Sequence, residues 1–228
     1  MRRGGGSRAI RLAAAGAAAL LALLVIAQLL LPHIAASRIS SKVGRYGRVE
    51  HVSVSAFPAI ELLWGDADSV TVTAGELALS PKQAAALLWE GRGASKLDVR
   101  AAAVRVGSLA LTNANLQKHG EQLNARADTT WAAAQAALGP GVEVRLLGSE
   151  AGRVRVEVGG SLFGVGAAVP AVAEAQGGAL LAHPEGLLME GFRLTLFSDR
   201  HVHVEGVGAS ELSGGQTGYR LTISALLR

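Results

Sequence analysis

The sequence contains no cysteine, which excludes a disulfide framework and any thiolate metal site. Aromatic residues make up 4% and charged residues 18% of its 228 positions. The formal net charge is +4 and the pI is near 10.0, values that usually point toward nucleic acid. That charge sits at one end. Arg2, Arg3, Arg8 and Arg11 precede residue 12 with no acid among them, and the remainder carries 18 bases against 18 acids. Nucleic-acid binding wants clustered Lys and Arg with interleaved aromatics on a folded body, so it is excluded as the reading here. Catalytic signatures are missing as well: no P-loop, GxGxxG, GxSxG or HExxH is present.

What is present first is a long apolar run. Leu12 to Leu31 reads LAAAGAAALLALLVIAQLLL, uncharged, with Gln28 its one polar side chain. As a helix it spans roughly 30 Å, the thickness of a bilayer's hydrocarbon core. Pro32 is expected to end it. Residues 1–11 then form a basic cytoplasmic tail, 12–31 a transmembrane anchor and 32–228 one exported domain, because short Arg-rich flanks stay inside. The alternative is a cleaved secretory signal, although the run is longer than the usual apolar core of one.

Ile34 to Gly47 has the period of a short amphipathic helix, with Arg38, Lys42 and Arg45 one position ahead of Ile39, Val43 and Tyr46. Two readings fit: a helix lying on an anionic lipid surface, and the domain's first helix with its cations in water. From Val49 the period becomes alternating, placing Val52, Val54 and Ala56 opposite His51, Ser53 and Ser55. SPKQAAALLWEG signals a helix capped by Ser80, with Pro81 first, Gln83 completing a capping box and Gly91 closing it. ADTTWAAAQAALGPG signals another, capped by Asp128 or Thr129. The remaining segments alternate as strands separated by turn residues. The fold class is α+β: roughly ten strands in a long curved antiparallel sheet wrapped against one or two helices.

Candidate metal ligands are sparse, and no cofactor is expected. His201 and His203 share one face of a strand but lack a third ligand, and plain alternation accounts for them equally well. Asp66 and Asp68 read as a polar turn. Trp64, Trp89 and Trp131 lie in apolar runs and read first as core.

The stretch VEHVSVSAFPAIELLWGDADSVTV, with Phe57, Pro58, Leu62, Leu63, Gly65, Val70 and Val72, resembles the signature of the LmeA-like phospholipid-binding family of exported bacterial envelope proteins. Leu31, Pro32 and Ile34 and the SPKQ-type helix start agree with it. Ala56 and Ala59 depart from the residues expected there. The resemblance implies a fold like tubular lipid-binding domains, acidic phospholipid as ligand and a role in envelope lipid or lipoglycan assembly. On that basis Phe57, Pro58, Ile60, Leu62, Leu63, Trp64, Phe163 and Leu196 are expected to bind lipid, and Arg38, Lys42 and Arg45 to face the membrane surface. The partners are then phospholipid and membrane. Two rivals stand beside this reading: a non-catalytic scaffold that docks a partner protein, and a lipid-acting hydrolase or transferase around His201 and His203.

Overall fold

The computed structural model describes residues 6–139, 141–162, 165–185, 192–212 and 217–228, and the side chains of these except 6–24, 161–162 and 165–167. The first element, α1 (Gly6–Val43), is a helix of 38 residues with Pro32 inside it. The expected stop at Pro32 is therefore corrected. Proline removes one N–H, the partner of the Gln28 carbonyl, but the Leu- and Ala-rich turns on both sides carry the helix through. Beyond Pro32, Ala35, Ala36, Ile39 and Val43 pack on the first sheet while Arg38 and Lys42 face solvent. Of the two readings of this segment, the structure has the domain's first helix. Among the described residues no helix is long and apolar enough to cross a membrane. The span expected over residues 12–31 falls mainly on residues 12–24, whose side chains lie outside the described set.

The chain continues as β1 (Gly47–Ser55), a 3-10 turn (Ala59–Leu63), β2 (Ala67–Leu79), α2 (Pro81–Glu90), β3 (Ala94–Val106), β4 (Leu109–His119), β5 (Gln122–Thr130) and α3 (Trp131–Leu138). It then forms β6 (Val142–Glu150), β7 (Arg153–Leu162), β8 (Val165–Gln176), β9 (Ala179–Pro184), β10 (Leu194–Phe197), β11 (Val202–Glu211) and β12 (Gly218–Leu227). The α+β class and the antiparallel-rich pairing are present, with two differences from the expected single sheet. The strands divide into a seven-stranded sheet, ordered β1-β2-β3-β4-β5-β12-β11, and a five-stranded one, ordered β10-β9-β8-β7-β6. Also, β2 and β3 pair in parallel, because α2 is the crossover that returns the chain to the starting end of β2.

Both short helices start where their caps allow. Ser80 accepts from the Gln83 N–H while the Gln83 side chain accepts from the Ser80 N–H, the expected box. At α3 the cap is Thr130, one or two residues beyond the expected caps. Asp128 and Thr129 are still in β5, where Asp128 binds Arg220 and the Thr129 hydroxyl donates to the Ala110 carbonyl.

Register gives the seven-stranded sheet two unlike faces. One row runs Val54, Val70, Leu97, Lys118, Leu123, Ala225, Val204 across all seven strands. The row one residue over runs Ser53, Thr71, Asp98, Gln117, Asn124, Ser224, Gly206 on the opposite face. The apolar face is covered piecewise. Helix α1 packs over β1 to β3, α2 brings Ala85, Leu88 and Trp89 onto Leu123, Ala225 and Leu227, and the second sheet packs Val154, Val156 and Leu180 against Val204 and Val207. The hairpin turns of the second sheet seat on β11, where the Val207 N–H donates to the Gly152 carbonyl at 3.0 Å and the Val204 N–H to the Gly178 carbonyl at 2.9 Å.

Candidate functional site

Between those covers an apolar strip stays open. Ala125 pairs with Ile223 and Ala127 with Leu221 on β5 and β12, all on the apolar face; the alanines and Leu221 are only half-buried, and Ile223 is 40% exposed. Trp131 and Tyr219, their rings 5.9 Å apart, stand at one end of the strip, and the Ala85–Trp89 side of α2 at the other. The strip's open floor on β5, Ala125 to Ala127, is about 7 Å long at 3.3 Å per residue, bounded by buried Leu123 and Thr129. Small side chains on that floor leave surface only partly covered by the described residues. Among the described residues the buried apolar side chains fall into four separate clusters, none holding a large side chain that is completely enclosed.

The opposite face of the same strands is built for hydrogen bonding. A cavity of 540 Å³ is lined there by Asn115, Gln117, Asn124, Arg126, Thr222 and Ser224, with the Ser149–Gly152 turn as its rim. Gly206 and Gly208 let that rim sit close, since a Cβ on Gly206 would stand 3.4 Å from the Gly152 Cα and one on Gly208 3.5 Å from the Ser149 hydroxyl. Sequence reading did not single these residues out. The signal was available in NANLQ and LNARA, whose alternate positions are all polar and meet across β4 and β5. Ala125 and Ile223 of the strip also contribute to this cavity's lining, between the alternating polar side chains of Asn124, Arg126, Thr222 and Ser224.

A third feature gathers six of the expected lipid-binding residues. Phe57, Pro58, Ile60, Leu62, Leu63 and Trp64 all fall in the β1–β2 connection. Gln28 of α1 holds it: the side-chain amide donates to the Ala56 carbonyl at 3.1 Å and accepts from the Ala59 N–H at 2.8 Å. The Phe57 N–H donates to the Asp68 carboxylate at 2.8 Å. Ala59 is buried and Leu62 joins the core beneath α1, whereas Phe57 is 79%, Leu63 65% and Trp64 71% exposed. These residues thus project as an apolar tip, and Trp64 is not the core residue its apolar run suggested. Leu196 lies elsewhere, exposed on β10 of the second sheet, and Phe163 lies outside the described residues.

Arg38, Lys42 and Arg45 are all exposed, and Lys42 makes an ion pair with Glu90 at 3.0 Å. Lys118 is the charged group in the apolar row; it donates to the carbonyls of Arg92 and Ala94, and burial lowers its pKa, partly offset by Glu121.

The two histidines diverge. His201 stacks on Trp89, ring centroids 4.1 Å apart, with the Arg92 guanidinium also 4.5 Å from Trp89. His203 packs over Gly178, where a Cβ would meet its ring at 2.2 Å. Among the described residues no three His, Asp or Glu side chains gather at metal-binding distance. Packing accounts for both imidazoles.

The sequence model of one family, described as LmeA-like phospholipid-binding, matches residues 22–219. No curated protein and no solved structure matches the chain.

Proposed function

Because the chain belongs to the LmeA-like phospholipid-binding family, we propose that it is a membrane-tethered envelope protein that holds phospholipid acyl chains along the apolar strip of β5 and β12. Residues 12–31 cross the bilayer with the four N-terminal arginines inside, and the two sheets stand on the exported side. The open strip at Ala125, Ala127, Leu221 and Ile223 carries this reading. Burying a chain there would contribute about 0.8 kcal/mol per CH₂, enough for affinity without a catalytic group. The role is to bind phospholipid, and to pass it on, in support of envelope lipid or lipoglycan assembly. Lipid extraction from the purified full chain followed by mass spectrometry, together with transfer of a fluorescent phospholipid between liposomes, tests it. Copurified phospholipid and accelerated transfer are expected; absence of both would overturn the proposal.

A further inference from the structure

The β1–β2 tip has a property that a tether alone does not require. Eight of the fifteen large apolar side chains exposed among the described residues lie at this end, four on α1 from Val25 to Leu30 and four as Phe57, Ile60, Leu63 and Trp64. An exposed patch of that kind, continuous with an uncharged helical run, marks contact with an apolar medium. Much of its backbone is satisfied within the protein, and the Glu61 carboxylate is the one ionisable side chain between residues 57 and 64. Gln28, the one polar side chain between Leu12 and Leu31, has both ends of its amide committed to the loop's backbone. The N–H groups of Phe57, Ala59, Glu61, Trp64, Gly65 and Asp66 all have protein acceptors, and Pro58 has no N–H to satisfy. A loop that faced only water would need no such provision, whereas one entering lipid must satisfy its backbone internally.

Depth agrees with chemistry. Gln28 lies about 4.5 Å before Leu31 along the helix, so its loop stands at the outer edge of the hydrocarbon layer when residues 12–31 span it. That is the level at which tryptophan is favoured, and Trp64 is there. Glu61 within the tip, and Asp66 and Asp68 exposed at the start of β2, hold the tip at the headgroup boundary and limit how far it can enter.

We propose that residues 57–64 are a second membrane contact, inserting into the outer leaflet beside residues 25–31 of α1 and seating the domain on the bilayer. This rests on the tether proposed above. The absence of native cysteine makes single-site labelling clean. Nitroxides on Val25→Cys, Leu63→Cys and Arg105→Cys of the full chain, reconstituted in phosphatidylcholine–phosphatidylglycerol vesicles, report collision with oxygen and with a water-soluble nickel chelate. Expected are strong nickel shielding with oxygen access at residues 25 and 63, at least several-fold against residue 105 at the far end of β3. Shielding at 25 with an aqueous 63 would overturn the second contact and leave the tether standing. Aqueous behaviour at both would remove both. Dipolar broadening between labels at residue 63 at high lipid excess would assign the tip to a second copy of the chain and overturn the proposal.

Discussion

Arg220 reaches from β12 to Asp128, its partner across the strand pair on β5, with Nε 2.8 Å from Oδ1 and Nη2 3.1 Å from Oδ2. The hydrogen bonds from Arg220, with a smaller one from Asn113, hold the Asp128 carboxyl below its ordinary pKa against the opposing effect of burial. Since the folded value is the lower one, this stabilisation is complete above the unfolded pKa and is lost as pH falls through the folded value. Arg220→Gln should therefore flatten the acid limb of stability below about pH 4, read from urea midpoints across pH.

The buried Lys118 gives the opposite kind of test. Its amine serves two carbonyls at the junction of α2 and β3, so Lys118→Ala removes a buried donor from both. A loss of about 1–3 kcal/mol is expected in denaturant unfolding. In the native chain the lowered pKa means stability rises as pH climbs from the folded value toward the ordinary one, and Lys118→Met should abolish that rise.

Gln28→Leu keeps the helix and removes the clamp. With about 1.4 kcal/mol lost at the Ala59 amide, hydrogen exchange there should quicken roughly tenfold. Exchange in β3 and β4 should stay unchanged. Equal acceleration throughout would mean that Gln28 supports the whole fold.

Gly178 has φ +84° and lies under His203, so an added Cβ is opposed by backbone and by ring. Gly178→Ala should loosen the seat of the second sheet on β11, lowering the thermal midpoint by on the order of 4 °C. Gly177→Ala, also at positive φ but in open space, separates backbone strain from the clash.

Ala127→Phe fills the strip from its floor, between half-buried Ala125 and buried Thr129 on the same face. Copurified phospholipid should fall several-fold while the thermal midpoint moves by less than about 2 °C. Loss of lipid together with loss of stability would show instead that the strip is ordinary core.

Local signals were the most legible part of the sequence. The Ser80–Gln83 box needs only residues three apart, and Val52, Val54 and Ala56 declare their face by alternation alone. Pro32 misled because a proline rule speaks of one hydrogen bond, whereas the helix is held by Ala35, Ala36 and Ile39 against a sheet that begins beyond residue 46. The division into two sheets depends on β12 returning to β5 across 92 residues, from Asp128 to Arg220, and no local period encodes that. The tip was half visible. Its residues stood out as an apolar cluster, but that cluster reads equally as core until the Gln28 clamp is seen.

The unbroken helix through Pro32 has a mechanical consequence. A flexible linker would let the sheets wander relative to residues 25–31, whereas α1 joins the two as a mast whose length above the clamp, Gln28 to Val43, is about 22 Å at 1.5 Å per residue. The molecule's working radius is then set by that mast and by the sheet laid along it. Under the tethered, lipid-passing role proposed above, such a molecule would serve acceptors standing beside it on the same membrane, and a more distant acceptor would need a second carrier to meet it.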